Sequence, residues 1–297
     1  MKRSYLFVLL ICVLVTGLIW FMSRAPLLKE GSVALNTQTR IISIQSFDDI
    51  RSELNRGNPD TLVVFDVDDV LITYKDLVLR PCGACFRPVS WSDIDPNEIP
   101  YLMSIMLGTA QRMLVEPAIP QLIKELQDRG VKTIALTAAR TGKFGVIENA
   151  EDWRVNVLKQ FNIDFSISIP QKQIIYFDDE GKNESDYSLF KNGIIFLGNE
   201  KQTKGDLLVR FLKQVQLKPR KVFFIDDKMS NVIPVEAALR QYGIPFQGYH
   251  YKGVEMLPGK LDVQGAEVQF ACLRKDHKWL SDLEAKKEEK CLLAPHQ

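Results

Sequence analysis

Thr61-Leu-Val-Val-Phe65 runs directly into Asp66-Val-Asp68-Asp69. No other stretch limits the fold as strongly. Leu62 to Phe65 have the length and the β-branched and aromatic content of a buried strand. Unpaired carboxylates are costly to bury. The acids therefore belong at the strand's carboxyl end, where open α/β sheets bind ligands. Three acids at one strand tip repel one another, so a cation is the expected partner, and a magnesium-dependent site is the first expectation.

The theme recurs in Arg220-Lys-Val-Phe-Phe-Ile-Asp226-Asp227, again an apolar strand ending in acids. Between them, Val131 to Thr137 is a second apolar strand with a polar exit. A helix over 121–129, opened by Pro120 and closed by Gly130, precedes it. Strand, insert, helix and strand together suggest a parallel βαβ unit. Further expected elements are a short helix from N-cap Ser46 to Leu54 and a helix over 148–161. A third strand is expected over 164–169, and strands 174–177 and 193–197 as a hairpin projecting from the sheet. Helices over 206–215 and 231–242, a strand over 245–251 and a charged helix over 277–290 complete the reading. Residues 72–113, interrupted by Pro81, Pro88, Pro96 and Pro100, read as an irregular insert covering the acids.

These pieces bring a family into view. Phe65-Asp66-Val-Asp68-Asp-Val70 resembles the first motif of the haloacid dehalogenase-like (HAD-like) hydrolases. Leu136-Thr137 resembles the second, Lys204 before Gly205 the third, and Phe224-Ile-Asp226-Asp227 the fourth. All four stand in family order on the expected local structures. The resemblance implies a doubly wound, mostly parallel (Rossmann-like) α/β core with one or two small cap insertions, of about 72–115 and 170–200. It implies Asp66 as nucleophile, forming an aspartyl-phosphate, and Asp68 as general acid and then base. Thr137 would bond the phosphoryl group and Lys204 would neutralise it. Magnesium (Mg2+) would sit on Asp66, Asp226 and the main-chain carbonyl of Asp68, with Asp227 acting through water or orienting the site. An acid at position 68 implies phosphoester hydrolysis rather than dehalogenation. Family members often carry Gly-Thr where this chain has Asp69-Val70. A third acid there is similar to exported acid phosphatases of the superfamily, while a turn cap is the alternative role for Asp69.

Neighbouring residues admit two readings each. Asn231 is the N-cap of its helix or a support for a metal-bound water, with the cap favoured. Arg140 pairs with a carboxylate or touches substrate, with the ion pair favoured. Lys201 stands close enough to compete with Lys204. His250 reads as a rim or core residue.

The N-terminus predicts export. Lys2-Arg3 precedes an apolar run from Tyr5 to Met22, long enough for a membrane helix, with Trp20 and Phe21 at its far end. Residues 1–23 are thus a membrane anchor or a signal sequence, and 24–45 a linker. Residues 46–275 form the HAD-like domain and 276–297 a charged C-terminal helix or tail. The basic end stays cytoplasmic, which places the domain outside, or secreted after cleavage. Export permits disulfides among Cys82, Cys85, Cys272 and Cys291, whose pairing the spacing leaves open. Cys82-Gly-Ala-Cys85 lacks a second pair, which disfavours zinc. With 38 basic and 37 acidic residues the net charge is +1, which gives no support for nucleic-acid binding. The expectation is an exported phosphohydrolase (a phosphomonoesterase) acting on a small phosphorylated substrate. A non-catalytic binding or host-interaction module on the same scaffold is the alternative.

Overall fold

A computed structural model describes residues 40–288 except 84–85, 89–90, 92–93, 170–173, 178–185 and 199–201, and except the Cys82 side chain. The expected N-terminal hydrophobic helix lies outside the described residues. Among those described, no helix is long and apolar enough to cross a membrane.

The architecture is mixed α/β around one mostly parallel sheet. Its strands are β1 (Arg40–Ile44), β2 (Thr61–Phe65), β5 (Lys132–Thr137), β6 (Ile175–Tyr176), β7 (Leu189–Lys191), β8 (Ile194–Phe196), β9 (Lys221–Asp226) and β10 (Phe246–Tyr251). They lie in the order β1-β10-β9-β2-β5-β8-β7-β6. Pairing is parallel from β1 to β8, and β7 and β6 add an antiparallel edge. A separate antiparallel pair, β3 (Ile72–Tyr74) and β4 (Arg112–Leu114), belongs to the insert.

Alternation along β2 explains the two layers of helices. Val63 and Phe65 face a core shared with Ile50 and Leu54 of α1 (Asp48–Leu54), Leu122 and Leu126 of α3 (Ile119–Asp128), and Leu158 of α4 (Ala150–Gln160). Leu62 and Val64 face a second core with Leu208 and Phe211 of α5 (Lys204–Gln214) and Val232 and Leu239 of α6 (Met229–Gln241). A third core joins Val78, Leu102 and Met106 of the insert to Phe270, Leu273 and Trp279. Its helices are α2 (Ile99–Thr109) and α7 (Val263–Asp276), and a four-residue α8 (Asp282–Ala285) follows. Each large apolar side chain so buried stabilises the fold by roughly 1.5–3 kcal/mol.

Several expectations need correction. Residues 40–44, expected as linker, are an edge strand, because Arg40–Ile44 pairs with β10. Residues 164–169 form no strand, since the Asp164 carboxylate accepts the Ser166 N–H at 2.8 Å and curls the backbone into a turn. The expected hairpin does not project from the sheet but extends it: β8 lies beside β5, with Ala135 opposite Ile194. Its tight turn is Asn192-Gly193, both at positive φ (51° and 78°), which closes β7 on β8. The C-terminal segment is not one charged helix. His277 ends α7 in the left-handed region, and Trp279 and Leu280 are buried.

Candidate active site

β2 lies between β9 and β5, so the residues leaving all three strands meet at one sheet edge. Phe65 pairs with Ile225 and Ala135, and the Asp66 N–H bonds the Ile225 carbonyl at 2.8 Å. Asp66 and Asp226 are thereby neighbours across two strands. Thr137 leaves β5 beside them.

Lys204 joins the two acids. It is the first residue of α5, whose N-terminus is fixed by a capping box between Thr203 and Asp206. Its Nζ lies 2.8 Å from Asp66 Oδ1 and 2.7 Å from Asp226 Oδ2. Gly205 permits this placement: a Cβ there would collide with the Pro234 carbonyl of α6. Lys201, the competing lysine, lies outside the described residues. Burial alone would lower the Lys204 pKa, but the two carboxylates outweigh it and hold the ammonium more firmly than in an ordinary lysine.

Asp226 is fully buried and well supplied with donors. Its Oδ1 accepts from the Lys228 N–H at 2.8 Å and from Asn231 Nδ2 at 2.9 Å. Asn231 therefore steadies a carboxylate from inside α6, where Lys228, not Asn231, is the N-cap. The cap reading is overturned.

Asp227 differs. Its Oδ1 is buried without a hydrogen-bond partner, and burial, reinforced by Asp226, pushes its carboxyl up to about 6. Burial also pushes Asp66 well above the usual carboxylate range, against the pull of Lys204. Carboxylate oxygens of Asp66, Asp226 and Asp227 all lie within 4.8 Å of one another. When all three are ionised, three carboxylates against one lysine carry a net charge of −2. An all-oxygen donor set, a net charge of −2 and an orphaned buried oxygen fit a divalent cation such as magnesium.

Asp68 stands at the rim. Its side chain is 41% exposed and its Oδ1 lies 2.7 Å from Nη1 of Arg154, a residue of α4 whose side chain is only 6% exposed. Asp69 adopts positive φ (63°), donates its N–H to the Ile72 carbonyl and accepts from Thr73 Oγ1 at 2.7 Å. That is the turn role. Thr137 Oγ1 accepts the Ala139 N–H at 3.1 Å, which leaves its hydroxyl hydrogen free to donate.

A family sequence model described as protein of unknown function (DUF2608) matches residues 43–286. The chain belongs to the DUF2608 family. It is 28% identical over 265 residues to an uncharacterized protein of Rickettsia prowazekii, covering 84% of this chain and 91% of the relative. It is 24% identical over 264 residues to a Chlamydia trachomatis protein named provisionally as an outer membrane protein, covering 85% and 90%. Among solved structures it is similar to a haloacid dehalogenase-like hydrolase of Streptococcus pneumoniae. That match has 16% identity and a TM-score of 0.33, and covers 66% of this chain and 96% of the other.

In this DUF2608 chain the outlying residues settle as follows. Arg140 pairs with Asp186 at 2.6 Å, in keeping with the ion-pair reading. His250 Nε2 lies 3.0 Å from the Asp227 carbonyl, at the rim of the site. Cys272 is disulfide-bonded. The side chains of Cys82, Cys85 and Cys291 lie outside the described residues. Sequence reasoning missed Arg154: nothing local distinguishes it from other helix-surface arginines, and its partner is 86 residues away.

Proposed function

We propose that this chain is an exported, magnesium-dependent phosphomonoesterase working through an aspartyl-phosphate on Asp66. One observation carries the reading: Lys204 bridges Asp66 and Asp226 at the shared tip of adjacent strands. That geometry holds a carboxylate ready for a phosphoryl group while setting a positive charge beside it. The four motifs with HAD-like resemblance all fall at this one edge.

With Asp66 Oδ1 held by Lys204, Oδ2 is the attacking oxygen. Asp68 gives its proton to the departing alcohol oxygen, then takes one from the water that attacks the aspartyl-phosphate. Thr137 Oγ1 and Lys204 Nζ bond the phosphoryl oxygens and stabilise the charge gathered on them. Asp66, Asp226 and the Asp68 carbonyl would hold magnesium, with Asp227 steadying its water. The ion would supply charge neutralisation between the phosphate and the nucleophile. Export is supported by the apolar run from Tyr5 to Met22, by the disulfide at Cys272 and by the names of the chlamydial relatives.

The test is hydrolysis of aryl phosphates by the purified protein with magnesium and then with EDTA. Phosphate release should vanish with EDTA and return with magnesium. Asp66→Asn should remove it, a loss of at least about 10³-fold, while circular dichroism stays native. Full activity in that variant would sink the proposal.

A further inference from the structure

Arg154 is more deeply buried than the carboxylate it pairs with. Its side chain is 6% exposed against 41% for Asp68. It rises from α4, whose Val155, Val157 and Leu158 are fixed in the first core. The guanidinium carbon lies 5.2 Å from the centre of the Trp153 ring, and Nε is buried with no partner. Trp153 also carries Arg112 at 4.7 Å, and Arg112 lies over the Tyr74 ring at 4.6 Å and donates from Nη2 to the Tyr74 hydroxyl oxygen at 2.8 Å. The Arg154 fork is thus held by a stack reaching from α4 into β3 and β4, and its Nη1 end meets Asp68 at the site. A buried guanidinium pairs best with a carboxylate, and its planar fork restricts that carboxylate's rotation.

Resting on the phosphomonoesterase reading above, we infer that Arg154 is a positioning residue that holds the Asp68 carboxyl where it can pass a proton to the leaving oxygen and take one from water. A proton carrier displaced by about 1 Å loses on the order of 10²-fold in rate. The loss would fall on proton transfer and not on attack by Asp66.

The experiment compares two aryl esters with the full-length protein and magnesium. The phenolate of 2,4-dinitrophenyl phosphate leaves without a proton, and that of phenyl phosphate needs one. With Arg154→Gln, steady turnover of phenyl phosphate should fall about 10²-fold. Dinitrophenolate should still appear in a first-turnover burst within about threefold of the unaltered rate, followed by a stall with acid-stable phosphoenzyme accumulating, since water attack lacks its base. Asp68→Asn should give the same pattern, and Arg154→Lys should recover part of the phenyl phosphate turnover. Equal loss of the first turnover on both esters, or a raised KM with kcat unchanged, would overturn the inference alone, the latter assigning Arg154 to phosphoryl binding. Should Arg154→Gln fail to fold, Arg154→Lys carries the test: a change shared equally by both esters, or none, overturns the inference. No release from either ester by the unaltered protein overturns the phosphomonoesterase reading, and the inference with it.

Discussion

Asp227 shows how a residue can be unfavourable to the metal-free fold and still useful to the site. Its Oδ1 is buried without a partner and its carboxyl is pushed up to about 6 from an ordinary 3.8, first by burial and then by Asp226. The native state therefore holds this proton more tightly than the unfolded chain does. The stabilisation from that proton is fully present below about pH 4 and is lost as pH rises through about 6. Asp66 is shifted in the same direction, so both groups make the metal-free protein less stable at pH 7.5 than at pH 5. Asp227→Asn should remove part of this slope. In EDTA at pH 7.5 the variant should melt about 2–4 °C higher, the shift expected per kcal/mol in a chain of this size. With saturating magnesium the order should reverse, because the unaltered site gains more from the ion. Differential scanning fluorimetry at both pH values, with and without magnesium, reads all of this. A lower melting temperature for the variant in EDTA at pH 7.5 would count against the burial argument.

At the scale of elements, Lys204 depends on how closely α5 approaches α6. A methyl at position 205 would collide with the Pro234 carbonyl, so Gly205→Ala must push the two helices apart. Overpacking of this kind costs about 1–3 kcal/mol. Because Lys204 is next in the chain, the push should also draw its Nζ from Asp66 and Asp226. The expected result is a lower urea midpoint at unchanged m-value, together with slower phosphate release. A changed midpoint with full activity would show that Lys204 does not need this helix spacing. Lys204-Gly205 was legible in the sequence as a pair, but the reason for the glycine is tertiary and was not. The same division runs through the fold. β2, β5 and β9 could be read because strands buried on both faces are continuous apolar runs, and their acids and Thr137 follow at once. α2 was hidden because Pro100 reads as a breaker, whereas it stands in the first turn, where proline is tolerated. Asn192-Gly193 is a two-residue hairpin signal, whereas the expected strand 193–197 begins on its glycine and pairs across the longer polar stretch before it. Asn231 fits the sequence pattern of a helix N-cap as well as that of a site residue, and only the structure shows its amide on Asp226.

On the scale of the whole chain, the insert is tied to α7 and the segment that follows it rather than to the sheet alone. Trp279 Nε1 donates to Asp76 Oδ2 at 2.9 Å, the Asp282 N–H to Asp76 Oδ1 at 3.0 Å, and the Leu77 N–H to Asp282 Oδ2 at 3.0 Å. The Trp279 ring is buried and meets Phe270 edge-on with centroids 5.4 Å apart. These contacts close a third core distinct from the two that flank the sheet. A chain built this way can lose order in the insert while its sheet persists, as cooperative units of unequal stability do. Trp279→Ala removes a large buried ring and leaves the buried Asp76 carboxylate short of a donor. It should cost about 3–5 kcal/mol within that unit. Hydrogen exchange should accelerate over 99–109 and 263–276, while amides of β2, β5 and β9 keep their protection. Phosphate release should slow less on a small aryl ester than on a bulky one, if the insert forms the wall against which a larger substrate is held. Uniform loss of protection across the sheet would instead show that the three cores unfold as one, and that the insert is an integral layer of the domain.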